Sequence, residues 1–195
     1  MDFAIVPKGQ KFDFSLVSKQ TTLAKLYVGA GWDMAQEGAD VDLDLVAVLL
    51  TDGKVTNKDH LIYFSNRVKS QSLGVFLSED NVTGEGDGDD ESIVIDFANL
   101  PTGVNGIALG LICYTGGITL PETVNTHLRI CDGDNEQSEQ VADVEIEGAT
   151  AGSTVVHGMT VSMNAEGHWI VENVDTFHNC GNGIGAVQGF GQLFT

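Results

Sequence analysis

The apolar residues of this chain are gathered into short runs with the composition of β-strands, and this pattern limits the fold more than any other feature. The runs are rich in β-branched and aromatic residues, and turn-forming sequences such as TDGK (51–54) and DGDN (132–135) separate them. They cover residues 12–17, 23–32, 41–50, 60–64, 73–77, 92–97, 107–114, 125–130, 141–147, 153–163 and 168–174. No stretch keeps a helical period for more than about ten residues. Many short strands at this spacing predict an all-β fold, a two-layer antiparallel β-sandwich.

Length and composition favour one domain followed by a distinct C-terminal tail. The chain has 195 residues, 42% of them hydrophobic, which suits a single domain with a full core. We therefore expect a sandwich domain over residues 1–178. Residues 179–195 carry five glycines and several apolar side chains but no charged one. This Gly-rich tail is interpreted as a last strand of the sandwich, as a loose tail, or as a segment that orders against a partner.

The charge balance limits the possible partners. The chain has 28 acidic and 9 basic residues, for a formal net charge of −19. A nucleic acid or an anionic membrane surface would be repelled by this charge. The natural complement is a divalent cation or a basic partner protein.

Three further features of the sequence predict a cytoplasmic protein. The N-terminal stretch MDFAIVPKGQ lacks the basic lead and apolar run of a secretory signal. The longest aliphatic run, residues 45–50, is too short to cross a membrane. Cys113 and Cys131 lie in apolar or alternating runs, which predicts buried thiols, and with Cys180 the cysteine count is odd. One disulfide bond stays open as an alternative.

One acidic stretch, EDNVTGEGDGDDES at residues 79–92, predicts a cation site. It holds seven carboxylates and three glycines and has no lysine or arginine. Two like charges about 4 Å apart repel by roughly 4 kcal/mol at an effective dielectric constant of about 20, so a compact fold normally separates or pairs them. Alternating glycines let a loop turn its carboxylates and carbonyls inward around an ion, which a solvated loop does not need.

A second set of acidic residues, Asp40, Asp42 and Asp44, recurs with period two in a predicted strand. A strand places such residues on one face, where three carboxylates repel one another unless a cation lies against them. Asp33, in the stretch GAGWD (29–33) at the end of the preceding predicted strand, can reach the same region. Oxygen ligands without nearby histidine or cysteine select a hard cation, and several carboxylates with flexible spacing favour Ca²⁺ over Mg²⁺. We therefore predict that the chain binds calcium.

The sequence DNVTGEGDGDDE at residues 80–91 resembles the signature loop of the TerD family of tellurite-resistance and stress-response proteins. Other stretches agree with the family in the same order, and the similarity spans about residues 20–135. They are VGAGWD (28–33), VDLDLVAVLL (41–50), DGKV (52–55), IYFSN (62–66), IVIDFANLP (93–101) and NTHLRICD (125–132). The resemblance implies a β-sandwich that binds calcium through this loop and the aspartates upstream.

Carried over position by position, the resemblance also implies a set of ligands for more than one Ca²⁺ ion. The implied ligands are Asp33, Asp42, Asp44, Asp80, Asn81, Thr83, Glu85, Asp87, Asp89, Asp90 and Glu91, with Thr83 and the glycines offering main-chain carbonyls. No catalytic residue is predicted, because no base or nucleophile is evident beside the acidic residues.

The function expected from this resemblance is that of a non-enzymatic calcium-binding protein, acting in stress response or as a calcium-dependent scaffold. Two alternatives stay open. One is an assembly subunit that uses calcium to rigidify its fold and binds further copies of itself or another protein. The other is a metal-dependent hydrolase, since carboxylates alone can hold catalytic metal ions.

Overall fold

The computed structural model describes residues 3–19, 24–34, 42–81 and 88–195, and these residues form twelve β-strands and three α-helices. The strands are β1 (Ala4–Ile5), β2 (Lys11–Asp13), β3 (Lys25–Met34), β4 (Leu43–Leu50), β5 (Leu61–Ile62), β6 (Val75–Leu77), β7 (Glu91–Asp96), β8 (Gly106–Cys113), β9 (Thr123–Asp132), β10 (Glu139–Glu145), β11 (Val155–Met163) and β12 (Trp169–His178). The helices are α1 (Phe14–Val17), α2 (Arg67–Ser70) and α3 (Ile184–Gln192). Single 3₁₀ turns lie at Lys58–His60, Phe64–Asn66, Gln71–Leu73, Phe97–Asn99 and Leu120–Glu122.

The strands form two six-stranded sheets. The first sheet has the order β1-β10-β9-β3-β7-β6, and the second has the order β2-β12-β11-β8-β4-β5. Neighbouring strands are antiparallel except β1, which pairs with β10 in parallel. The prediction of a two-layer, largely antiparallel β-sandwich is therefore confirmed.

Alternation along the strands explains why the sheets pack on each other. In β4, Leu43, Leu45 and Leu49 point into the main core, which both sheets line. Ala47 points into the same core, whereas Val46 and Val48 point the other way and join a second apolar cluster on the outer face of the second sheet. Because both faces of β4 are covered, its sequence is almost continuously apolar. Full burial of a leucine side chain contributes about 1.5–3 kcal/mol, so this strand is a large part of the core's stability.

The C-terminal tail differs from the sequence prediction of a last strand or a loose end, because residues 184–192 form α3. Ala186, Val187 and Phe190 are fully buried against the outer face of the second sheet. A Cβ at Gly189 would stand 2.3 Å from the Cβ of Cys180, so glycine is required for this close approach. Tertiary burial thus outweighs the low helix propensity of a Gly-rich segment.

Two other details of the fold differ from the sequence prediction. The run at residues 12–17, predicted as one strand, divides into the end of β2 and helix α1, whose first turn is capped by the Asp13 carboxylate accepting from the NH of Leu16 at 3.3 Å. Strand β1 was not predicted, because two residues carry no detectable alternation. Each of the eleven predicted runs does contain a strand.

The cysteines are free thiols, with Cys113 and Cys131 buried as predicted and Cys180 partly buried. The alternative of one disulfide bond is therefore not realised in this structure. In the described part of the chain, none of the helices combines the length and the apolar character needed to cross a lipid bilayer.

Candidate metal centre

Three of the carboxylates predicted to bind metal converge where β4 and β7 begin. One oxygen from each of Asp44, Asp80 and Glu91 lies within 4.8 Å of the others, and we call this group the acidic cluster. Asp44 comes from the second sheet, Glu91 opens a strand of the first sheet, and Asp80 enters from the connection after β6. The cluster therefore joins the two sheets at one point of the sandwich.

Burial sets the electrostatics of the acidic cluster. Asp44 is 1% exposed and Glu91 is 3% exposed, whereas Asp80 is on the surface. Burial, reinforced by Asp42 and Asp80, raises the pKa of Asp44 to about 7. Burial raises the pKa of Glu91 to about 9, although its carboxylate accepts from the NH of Leu45 at 2.7 Å and the NH of Asn81 at 3.3 Å. Without a cation, these two groups resist ionisation near neutral pH.

Several oxygens at this place lack a hydrogen-bond partner. Asp42 Oδ1 and Asp44 Oδ2 are both buried and unpaired among the described residues. The other oxygen of Asp42 has only a weak contact, at 3.4 Å, from the hydroxyl of Thr115. Burial and the neighbouring Asp80 raise the pKa of Asp42 as well. Buried oxygens without donors are costly, and a cation bound against them would satisfy them. The residues present therefore fit a hard divalent ion.

A hydrogen bond between the side chains of Asp90 and Asn81 connects the two ends of the acidic stretch. Asp90 accepts from the NH of Trp32 at 3.0 Å and from the side-chain amide of Asn81 at 3.2 Å. Burial raises the pKa of Asp90, and the nearby carboxylate of Asp33 raises it further. Asp33 accepts a hydrogen bond from the side-chain amide of Asn125 at 2.7 Å. Asp33 and Asp90 thus form a second acidic pair, separate from the acidic cluster.

Asp89 lies apart from the acidic cluster and is fully engaged on the outer face of the first sheet. Both of its oxygens accept from the Arg129 guanidinium, at 2.6 Å each, and Oδ2 also accepts from the Tyr27 hydroxyl at 2.6 Å. A Cβ at Gly29 would stand 2.1 Å from Asp89 Oδ2, so only glycine leaves room for this carboxylate. We call this arrangement the Asp89 anchor. The hydrogen bond to Asp89 raises the pKa of Arg129, which stays cationic.

The structure thus distributes the predicted ligands over three places. Asp42, Asp44, Asp80 and Glu91 lie together, and Asp33 and Asp90 are adjacent. Asp89 is bound by the Arg129 guanidinium and the Tyr27 hydroxyl. Asn81 links the first two groups through its main-chain NH and side-chain amide. Thr83, Glu85 and Asp87 lie outside the described residues. Sequence reasoning did not find Arg129 and Tyr27, which are distant in the chain and lie in ordinary strands.

Comparison with known proteins assigns the chain to a family. The family model for the TerD domain matches residues 4–179, most of the chain. The chain belongs to the TerD family. The tellurium resistance protein TerD of Serratia marcescens is 30% identical over 157 residues, which cover 78% of this chain and 81% of that protein. The resemblance seen in the sequence motif is therefore confirmed at the level of the family.

Other TerD relatives include stress proteins and solved structures. The stress response protein SCP2 of Bacillus subtilis (strain 168) is 37% identical over 119 residues, covering 55% of this chain. The match spans only 58% of the length of SCP2, little more than half. The crystal structure of a homologue of the telluride resistance protein (TerD) from Streptomyces coelicolor A3(2) has a TM-score of 0.60 at 19% identity, covering 81% of this chain and 90% of that one. At this identity the likeness concerns the fold alone.

Proposed function

We propose that this TerD-family protein binds calcium at the acidic cluster and acts, without catalysis, in a stress or tellurium-resistance response. The observation that carries the proposal is a group of buried carboxylates with unpaired oxygens, Asp42 Oδ1 and Asp44 Oδ2, beside Glu91. Ionised carboxylates are not buried together without a compensating charge. A bound dication would supply that charge.

The chemistry of the donors favours calcium over other metals. The acidic cluster contains carboxylates and no histidine or cysteine, which selects a hard cation. Calcium takes about 6–8 oxygen ligands, so Asp42 beside the acidic cluster adds needed donors. Thr83, Glu85 and Asp87 remain candidate ligands from the sequence. The prediction of more than one ion rests on the same ligand set, in which Asp33 and Asp90 provide carboxylates outside the acidic cluster.

The physiological part of the proposal rests on the relatives. Proteins named for stress response and for tellurium resistance match this chain, which supports a role of the same kind. The free, buried thiols support a reducing compartment such as the cytoplasm. The hydrolase alternative has no support in the names of these relatives, and we do not favour it. Self-association or a scaffold role stays a prediction, which size-exclusion chromatography with and without calcium tests.

Thermal unfolding with calcium or EDTA tests the proposal. An ion that binds only the native state adds about 2.7 kcal/mol at a hundredfold excess over Kd, or roughly 5–11 °C for a chain of this length. The variant Glu91→Gln resembles the protonated Glu91 that its raised pKa predicts for the metal-free protein. The glutamine oxygen can keep the contact with the NH of Leu45, and the amide nitrogen cannot replace the longer contact with the NH of Asn81. We therefore expect Glu91→Gln to melt a few degrees below the wild type in EDTA and to lose the calcium effect.

The exposed Glu166, which is not part of the acidic cluster, offers a matched control. The variant Glu166→Gln makes the same chemical change and should keep the full calcium effect. Equal melting temperatures of the wild type in EDTA and in calcium would refute calcium binding. A calcium effect retained in Glu91→Gln would refute the placement of the ion.

A further inference from the structure

A cavity of about 350 Å³ lies on the outer face of the first sheet, beside strand β1 and away from the residues of the acidic cluster. Its lining includes Phe3, Ile5, His127, Asp143, Glu145 and Glu147. We call it the acceptor pocket. Its volume is at the lower end of the range of ligand sites, about 300–1,000 Å³, which suits a single side chain better than a large ligand.

The strand register brings the acidic groups of the acceptor pocket together. On β10, Asp143 and Glu145 point outward because Val144 between them points into the core. On the neighbouring β9, His127 lies opposite Glu145. The His127 ring lies over Gly31, where a Cβ would stand 2.7 Å from its Cε1. Glycine at that position is therefore what lets the imidazole lie close to the sheet.

Asp143 shows that the acceptor pocket is more than a patch of surface charge. Its side chain is only 9% exposed, and Oδ1 is buried without a hydrogen-bond partner among the described residues. The other oxygen accepts from the amide of Gln140 at 3.1 Å. Burial raises the pKa of Asp143, and the hydrogen bond from Gln140 and the Arg129 guanidinium oppose that shift. An added donor cation would satisfy Oδ1 and favour the ionised carboxylate.

The functional groups around Asp143 are also acceptors. The Nδ1 atom of His127 lies 2.9 Å from the carbonyl oxygen of Asn125, and because a carbonyl only accepts, Nδ1 carries the proton. The Nε2 atom, when it carries no proton, is an acceptor as well. Glu145 and Glu147 add carboxylates, and no lysine or arginine of the described chain lines the pocket. The complementary ligand has several donors, no acceptor and a positive charge.

The spacing of these acceptors distinguishes between possible cations. In the described residues, the only three ligand groups within 4.8 Å of one another are those of the acidic cluster. The carboxylates and the imidazole of this pocket therefore do not converge in a group of three, as the acidic cluster does. A guanidinium group presents five donors over a plane and has no acceptor, whereas an ammonium is a compact point charge. The exposed apolar side chains of Phe3 and Ile5 can cover the aliphatic part of an arginine.

We propose that the acceptor pocket binds an arginine side chain of a partner protein. The partner is a different protein, because two copies of this chain would each carry a net charge of −19 and repel each other. The net charge of −19 favours association with such a basic partner. This proposal does not rest on calcium binding at the acidic cluster, because the pocket shares no residue with that cluster.

The test is an NMR titration of the ¹⁵N-labelled protein with the capped tripeptide Gly-Arg-Gly, with calcium present and again in EDTA. We expect saturable shifts at residues 125–127 and 143–147 in both conditions. The same peptide with citrulline in place of arginine has the same shape without the charge and should produce no such shifts. The lysine peptide should bind more weakly than the arginine peptide.

Two variants locate the binding. Glu145 is exposed, so Glu145→Gln is expected to fold normally. It should weaken the binding of the arginine peptide about two- to fivefold, because an exposed ion pair is worth little in water. Glu166→Gln removes an equal charge outside the pocket and should bind like the wild type. The proposal is overturned if the citrulline or lysine peptide binds as tightly as the arginine peptide. It is also overturned if Glu145→Gln binds unchanged, or if the shifts appear only around residues 42–44 and 88–91.

Discussion

Replacing Arg129 with methionine would remove the cation from a carboxylate that is almost entirely buried. Asp89 is 4% exposed and Arg129 is 19% exposed, and the two form a bidentate ion pair on the outer face of the first sheet. Methionine keeps much of the length and apolar stem of arginine but makes no ion pair. The Tyr27 hydroxyl would be left as the one side-chain donor to Asp89 in the described structure.

The expected loss of stability follows from this burial. Removing one partner of a buried ion pair typically costs about 3–5 kcal/mol, because the remaining charge is uncompensated. At about 2–4 °C per kcal/mol for a chain of this length, the melting temperature should fall by roughly 6–20 °C. Adding Asp89→Asn to Arg129→Met removes the uncompensated charge. The double variant should therefore be more stable than Arg129→Met alone.

Urea unfolding in EDTA, which keeps calcium out of the comparison, gives the free energies. The matched control is Arg67→Met, because Arg67 pairs with Glu79 on the surface at 3.1 Å, with Glu79 88% exposed. Such exposed pairs contribute about 0–1 kcal/mol, so this variant should unfold close to the wild type. If Arg129→Met and Arg67→Met lose the same stability, the Asp89 anchor is not the buried pair described here. A double variant less stable than Arg129→Met would contradict the reasoning equally.

Two further predictions concern the C-terminal helix and the histidine beneath it. Phe190→Ala should lower the free energy of unfolding in denaturant by about 3–5 kcal/mol, because Phe190 is fully buried between α3 and the second sheet. Ile184→Ala, at a 51% exposed position of the same helix, should lower it by less than about 1 kcal/mol. Equal losses of stability would mean that α3 is not docked. Burial, helped by His178, lowers the pKa of His157 to about 4, so the folded state resists protonation and loses stability as pH falls from about 6.5 to about 4. His157→Gln should flatten the stability profile in that window by up to about 3 kcal/mol, and an unchanged acid slope would exclude His157 as its cause.

The strands could be predicted because the alternation of buried and exposed residues in each strand is visible in its own sequence. In β7, Glu91, Ile93 and Ile95 are buried and the residues between them are more exposed, which is the alternation that a sequence shows directly. The C-terminal helix was harder to predict from the sequence, because its glycines disfavour a helix and only packing against the second sheet stabilises it. Val187, Phe190 and Phe194 do have helical spacing, and this was the available signal.

In the candidate site as well, features that depend on neighbouring residues could be predicted from the sequence, and contacts between distant residues could not. Period two placed Asp42 and Asp44 on one face, and the pattern of carboxylates indicated a hard cation. The pairing of Asp89 with Arg129 joins residues 40 positions apart, and their charges alone do not indicate it. Glycine is needed at position 29 because the Asp89 side chain of that pair lies against it, and not because the chain turns there. Such contacts become visible only when the strand order is known.

Calorimetric titration of calcium into the metal-free protein is the decisive test of the calcium site, because titrations in several buffers give stoichiometry, affinity and proton release. The raised pKa values of Asp44, about 7, and Glu91, about 9, mean that these ligands hold protons near neutral pH without calcium. Calcium binding should therefore be saturable and should release protons, so that the measured heat changes with the ionisation enthalpy of the buffer. Glu91→Gln should greatly reduce both the binding and the proton release, and Glu166→Gln should reduce neither. An absence of saturable binding, or wild-type binding with wild-type proton release in Glu91→Gln, would contradict the assignment of the acidic cluster as the calcium site.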